Sequence, residues 1–260
     1  MGGGNLGAGQ GRRIIAIIQV RCWFFFSRRF SPTARTVNGR IELSVIKRGY
    51  VRLMQRLGQT RAVSRFVGGA ADADMYGWRR WFASLFAIYD TGRMVALDLP
   101  WWNVEATREV EQFLASHPGA RVFEFGAGAS TAWLAKRAGE VFSVEHDAVF
   151  IGRFRKMLTP FGNVELLERS IDKGPDAYVD AISEIGDTFD LIVVDGRHRS
   201  LCLEAAALHL SEDGMVLFDD SGRKRYRSAI ERSELKETHY FGRSFCVPYP
   251  DHTSLLLRDG

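Results

Sequence analysis

Arg121-Val122-Phe123-Glu124-Phe125-Gly126-Ala127-Gly128-Ala129-Ser130-Thr131 is the stretch on which the fold turns. An apolar run stops at a glycine pair and gives way to a helical pattern over residues 130–138, the order of a strand, a tight loop and a helix. Gly126 and Gly128 let the chain turn sharply and bring backbone N–H groups against a ligand with no Cβ in the way. The third glycine of a dinucleotide loop would fall at Thr131, which is β-branched, so close passage of a pyrophosphate is disfavoured there.

Working outward, apolar runs and helical segments alternate. Runs at 141–145, 164–167, 189–195 and 214–218 are separated by helices at 148–158, 176–185 and 200–210, and a helix at 224–233 follows. Upstream, Asn103 caps a helix through Ser116 that His117-Pro118-Gly119 ends. Continuous apolar strands separated by helices indicate a parallel sheet covered on both faces. Residues 237–242 and 254–258 are strand-like with no helix between them, so this pair is expected to be antiparallel. The expected fold class is therefore α/β: a Rossmann-like doubly wound sheet, mostly parallel, with an antiparallel C-terminal strand pair and an N-terminal helical extension.

In an open α/β sheet, ligands bind outside the carboxyl ends of the strands. The chemistry-bearing residues all follow strands: Glu124 and the glycine pair the first, Glu145-His146-Asp147 the second, Asp172 the third, Asp195-Gly196-Arg197-His198 the fourth, and Asp219-Asp220-Ser221 the fifth. Glu145 lies 17 residues beyond Gly128, where a carboxylate can accept both hydroxyls of a ribose, a feature of NAD and S-adenosylmethionine sites alike. Glu124 at the first strand end, the missing third glycine, Asp195 and the terminal strand pair favour the second.

These segments resemble the class I S-adenosylmethionine-dependent methyltransferases. Residues 122–128 resemble their first motif, 141–147 the second, 189–196 the fourth and 214–220 the strand-five segment. The likeness spans roughly residues 100–258, and V-E-H-D, D-G-R, D-D-S and Thr253-Ser254-Leu255 are similar to a bacterial branch of the family. It implies S-adenosylmethionine as cofactor, contacted by Glu124, Gly126, Gly128 and Glu145, with Asp195 near the methionine end or the substrate. His146, beside Glu145, is expected to line the adenosine pocket, and Asp172 is included among the cofactor-binding residues. Asp195 and His198 are the catalytic candidates: His198, three residues past Asp195, is placed to act as general base toward a hydroxyl acceptor. Some related O-methyltransferases hold a divalent ion on acids after strands four and five, which would be Asp195, Asp219 and Asp220 here. Arg197 and Arg199 stand close by, and the favoured reading is an arginine-paired acidic cluster rather than a metal.

The rest of the chain is read from composition. Of 260 residues, 46% are hydrophobic and 25% charged, which excludes collagen-like, coiled-coil and wholly disordered classes. Residues 1–70 carry 13 Lys and Arg and the single acid Glu42, whereas the remainder has 22 basic against 30 acidic residues. Three domains are expected: a glycine-rich disordered tail at 1–12, a basic, aromatic helical extension or cap at 13–95, and an S-adenosylmethionine-binding methyltransferase domain at 96–260. The apolar stretch 14–26 is too short to span a bilayer and is flanked by arginines, so peripheral membrane contact through residues 12–29 is a secondary expectation. No recognition motif or aromatic ladder accompanies the basic residues of a helix expected at 45–66, so nucleic acid is not a favoured partner. The aromatics of 72–90 and Trp101-Trp102 are candidates for a substrate wall, against simple burial. Cys22, Cys202 and Cys246 form no disulfide or zinc pattern and fit a reducing, cytoplasmic setting. The functional expectation is methyl transfer to a small-molecule, hydroxyl-bearing acceptor, anionic or saccharide by charge and Trp content. The alternatives are an NAD-dependent oxidoreductase and a catalytically silent binding module.

Overall fold

The computed structural model describes residues 37–186 and 188–258, with side chains from residue 48 onward. The glycine-rich run 1–12, the apolar stretch 14–26 with its arginines, and Cys22 lie outside the described residues. Cys202 and Cys246 are buried free thiols.

Seven strands form one sheet: β1 Arg121–Phe125, β2 Glu140–Glu145, β3 Val164–Glu168, β4 Phe189–Val194, β5 Leu210–Asp219, β6 Lys236–Gly242 and β7 Asp251–Leu257. Their spatial order is β3-β2-β1-β4-β5-β7-β6. The first five run parallel, and β7 pairs antiparallel with both β5 and β6. A dinucleotide-binding sheet continues past strand five with strand six. Here β7 occupies that place.

Alternate residues of the central strands bury on opposite faces, as the two-residue strand period requires. Val122, Leu191, Val193, Met215, Leu217 and Leu255 enter one core, and Phe123, Phe125, Ile192, Val194, Val216, Phe218 and Leu256 the other. The second core is closed by Tyr178 and Ile182, by Cys202, Leu203 and Ala206, and by Tyr226, Ala229 and Ile230. The first is closed by Val104, Val110 and Leu114 of helix Val104–Ser116, by Trp133 and Leu134 of helix Ala129–Ala135, and by residues from Val67 to Trp102. Buried Trp81 ties this last stretch down by donating from Nε1 to the Ser244 carbonyl at 2.8 Å.

Upstream elements are more broken than the periodicity predicts. The helix expected over 45–66 is two, Val37–Gly58 and Arg61–Gly68. They part beside Gly58, where a Cβ would run into the Arg93 guanidinium. Within 72–90 only Trp78–Ser84 is α-helical, followed by a 3-10 turn Leu85–Ala87. Asp74 accepts from the Tyr76 backbone N–H at 3.1 Å, so its side chain competes for the backbone and holds a turn ahead of the helix. The segment expected as one helix at 176–185 is two short ones, Asp176–Val179 and Ala181–Ile185. Among the described residues no helix is long and apolar enough to cross a membrane.

Candidate active site

The strand order reverses between β1 and β4, and the loops leaving those strands meet through two glycines. Gly126 sits at φ +102°, and a Cβ there would lie 2.6 Å from the Gly196 Cα. A Cβ on Gly196 would overlap the Tyr178 hydroxyl and lie 2.9 Å from the Gly126 nitrogen. Both glycines are therefore demanded by close approach of the two loops. Gly128 is different: its backbone is extended at φ −171°, and a Cβ would meet nothing nearer than the Ser130 hydroxyl at 3.8 Å.

Beneath the loop, Glu124 is fully buried. Its carboxyl accepts from the hydroxyls of Ser130, Thr131 at 2.5 Å and Ser143 at 2.6 Å. Thr131 Oγ1 also accepts from the Gly128 N–H at 3.0 Å, so the residue standing where a dinucleotide loop has glycine locks the loop to the strand. Burial pushes the Glu124 carboxyl up to about 7, against the opposing pull of the three hydroxyls.

A cavity of about 570 Å³ opens over this loop. It is lined by residues 126–130, by Glu145, His146 and Phe150, by Asp195, Gly196, Arg197 and Arg199, and by Tyr89, Thr91, Met94 and Trp101. Glu145 Oε1 accepts from the backbone N–H groups of His146 and Asp147 at 2.8 and 2.9 Å, and His146 Nδ1 lies 2.5 Å from the same oxygen. Oε2 has no hydrogen-bond partner among the described residues. On its other side, His146 Nε2 accepts from the Arg197 Nε–H at 3.5 Å.

Residues 123–221 match the family model described as a methyltransferase domain. That match and the strand order together give the chain the Rossmann-like fold of a methyltransferase domain. Solved structures similar to it include precorrin-6y C5,15-methyltransferase from Geobacter metallireducens, at 15% identity and TM-score 0.44 over 60% of this chain and 88% of that one. They also include the N-methyltransferase NodS from Bradyrhizobium japonicum, at 13% identity and TM-score 0.45 over 60% and 96%. A third is an rRNA methylase from Streptococcus thermophilus, at 14% identity and TM-score 0.45 over 59% and 96%. No curated protein matches the sequence.

Within this fold the sequence-derived residues separate. Gly126, Gly128, Glu145, His146 and Asp195 line the cavity, whereas Glu124 lies under its floor and Asp172 stands outside it, exposed and accepting from the Ser170 hydroxyl at 2.8 Å. Glu124 thus shapes the loop rather than facing the cavity. His198 lines a second cavity of about 750 Å³ that shares Tyr89, Gly196, Arg197 and Arg199 with the first. The aromatic stretch also divides. Trp81 and Trp102 are buried and Trp78 is exposed, while Tyr89 and Trp101 meet edge to face at 4.9 Å in the first cavity's wall.

The three acids after strands four and five converge on one arginine, and it is Arg199, the first residue of helix Arg199–His209, four positions beyond Asp195. Its guanidinium reaches Asp195 Oδ1 at 2.7 Å, Asp219 Oδ2 at 3.3 Å and Asp220 Oδ2 at 3.2 Å. Arg197, also considered from sequence for this pairing, turns to His146 instead. Trp102 Nε1 donates to Asp195 Oδ2 at 3.2 Å, and Thr253 of β7 donates to Asp219 Oδ1 at 2.9 Å. Burial pushes the Asp195 and Asp219 carboxyls up, and their mutual repulsion adds to the rise at Asp219. A divalent ion on Asp195, Asp219 and Asp220 does not fit this arrangement, since a fixed cation already stands among the carboxylates.

Sequence reasoning missed Ser130 and Ser143 as Glu124 partners. The signal was present at Ser143, a polar residue in an apolar strand, which when buried must find a partner.

Proposed function

We propose that this protein transfers a methyl group from S-adenosylmethionine to a hydroxyl of a small molecule. The observation that supports this best is Gly128. Neither backbone strain nor an internal contact accounts for its missing side chain, so the open space belongs to whatever enters the cavity. The surroundings suit that cofactor: Glu145 offers a free carboxylate oxygen to ribose hydroxyls, and the loop at 126–128 offers bare backbone to the amino-acid portion. The cofactor supplies a methyl carbon made electrophilic by its sulfonium, leaving as the thioether, so the protein has only to align the acceptor and take its proton. His198, on the wall of the adjoining cavity, is the base for that proton, and Asp195 holds the wall through Trp102 and Arg199.

Calorimetric titration with S-adenosylhomocysteine tests the reading. Saturable binding is expected, at least tenfold weaker (about 1.4 kcal/mol) in Glu145→Ala, with no heat from NADH. Binding of NADH in preference to S-adenosylhomocysteine would overturn it in favour of a dinucleotide oxidoreductase.

A further inference from the structure

We propose that the second cavity binds a small anion bearing a carboxylate or phosphate group. If the methyl-transfer reading holds, on which this last step rests, that anion is the methyl acceptor. The cavity, at about 750 Å³, has the size of a small-molecule site and shares a wall with the first. A compound held there borders the place where the cofactor's reactive end is expected.

Its charge is one-sided. Arg197, Arg199, Arg223 and Arg225 line it against the single acid Asp220. That acid is already engaged, by Arg199 at 3.2 Å and by Arg223 at 2.5 Å. Arg197 and Arg225 form no ion pair among the described residues. Each is nonetheless held: Arg197 by its bond to His146, Arg225 by stacking 4.7 Å over the Tyr226 ring and donating to its hydroxyl at 2.6 Å. A guanidinium with no carboxylate partner keeps its full charge and its planar fork for an incoming anion.

Backbone strain marks the same wall. Six non-glycine residues among those described adopt left-handed φ, and three of them, Tyr89 at +55°, His198 at +51° and Asp220 at +57°, line this cavity. Such conformations cost energy and persist where the surroundings enforce them, which is typical of ligand clamps. An ordinary solvated basic surface has no reason to collect them.

The test titrates the full-length protein, saturated with S-adenosylhomocysteine, with inorganic phosphate, 3-hydroxybenzoate and the neutral 3-hydroxybenzyl alcohol. Both anions are expected to bind with millimolar or tighter Kd and the alcohol not to. Arg225→Gln, which touches only the second cavity, should weaken the anions at least fivefold and leave S-adenosylhomocysteine affinity unchanged. Arg61→Gln, an exposed arginine outside both cavities, should leave anion binding as it was. Absence of anion binding, equal binding of the alcohol, or indifference to Arg225→Gln overturns the proposal. Repeating the phosphate titration without S-adenosylhomocysteine separates the two readings, because loss of cofactor binding with phosphate binding intact removes methyl transfer and keeps the anion site.

Discussion

Two glycines of one loop answer to different demands, and substitution should separate them. Gly126→Ala places a methyl group 2.6 Å from the Gly196 Cα at a left-handed φ, so it should lower stability by several kcal/mol, about 3 or more, in chemical denaturation. Gly128→Ala meets no such obstacle and should leave stability within about 0.5 kcal/mol while reducing S-adenosylhomocysteine affinity at least tenfold. A Gly128→Ala protein that binds normally would remove the argument built on that residue. Glu124 carries a pH signature. Its folded value of about 7 lies above the ordinary 4.5, so its contribution is fully present below 4.5 and is lost as pH rises through 7. Across that interval the loss is about 3 kcal/mol. Denaturation midpoints should therefore fall between pH 5 and 8.5 in the wild type, and Glu124→Gln should flatten much of that decline.

Among the elements, helix Val104–Ser116 depends on one side chain. Asn103 Oδ1 accepts from the Glu105 and Ala106 N–H groups at 2.9 and 3.3 Å, and its Nδ2 donates to the Asp251 carbonyl at 3.3 Å, joining the helix start to β7. Asn103→Ala should cost about 2 kcal/mol, the upper part of the range for a cap, and Asn103→Ser, which keeps a cap acceptor without setting a charge against the Asp251 carbonyl, should cost clearly less by thermal denaturation. That cap was legible in the sequence, as were β1, β2 and β4, because a cap and a continuous apolar run depend only on neighbouring residues. So was the antiparallel end, which a short connection without a helix dictates. The breaks at Gly58 and before Trp78 were not legible from periodicity, which registers neither the packing of Arg93 against Gly58 nor the competing bond from the Tyr76 N–H to Asp74. For the same reason the candidate site was half readable. Position after a strand brought Glu145 and Asp195 to the cavity, but which arginine meets the acids, and that Asp172 stands aside, depends on side-chain reach in three dimensions.

For the whole molecule, the stretch from Val67 to Trp102 shares its core with the sheet. Trp81→Ala removes a buried indole and leaves the Ser244 carbonyl without its donor, and should cost about 3–5 kcal/mol. We expect calorimetry to show this as a downward shift of one cooperative transition; two transitions, only one of them moved, would show that this stretch unfolds on its own. The position of β7 bears on how such a molecule comes into being. A chain emerges from the ribosome in order of sequence, yet β6 is separated from β5 by a strand that is translated after it. Until β7 arrives, the edge of β5 stays open, β6 has nothing to pair with, and Asp219 waits for the hydroxyl of Thr253. The acidic rim of the site is thus among the last parts to be finished, since a nascent chain holding every motif from Glu124 to Asp220 still lacks the strand that borders it.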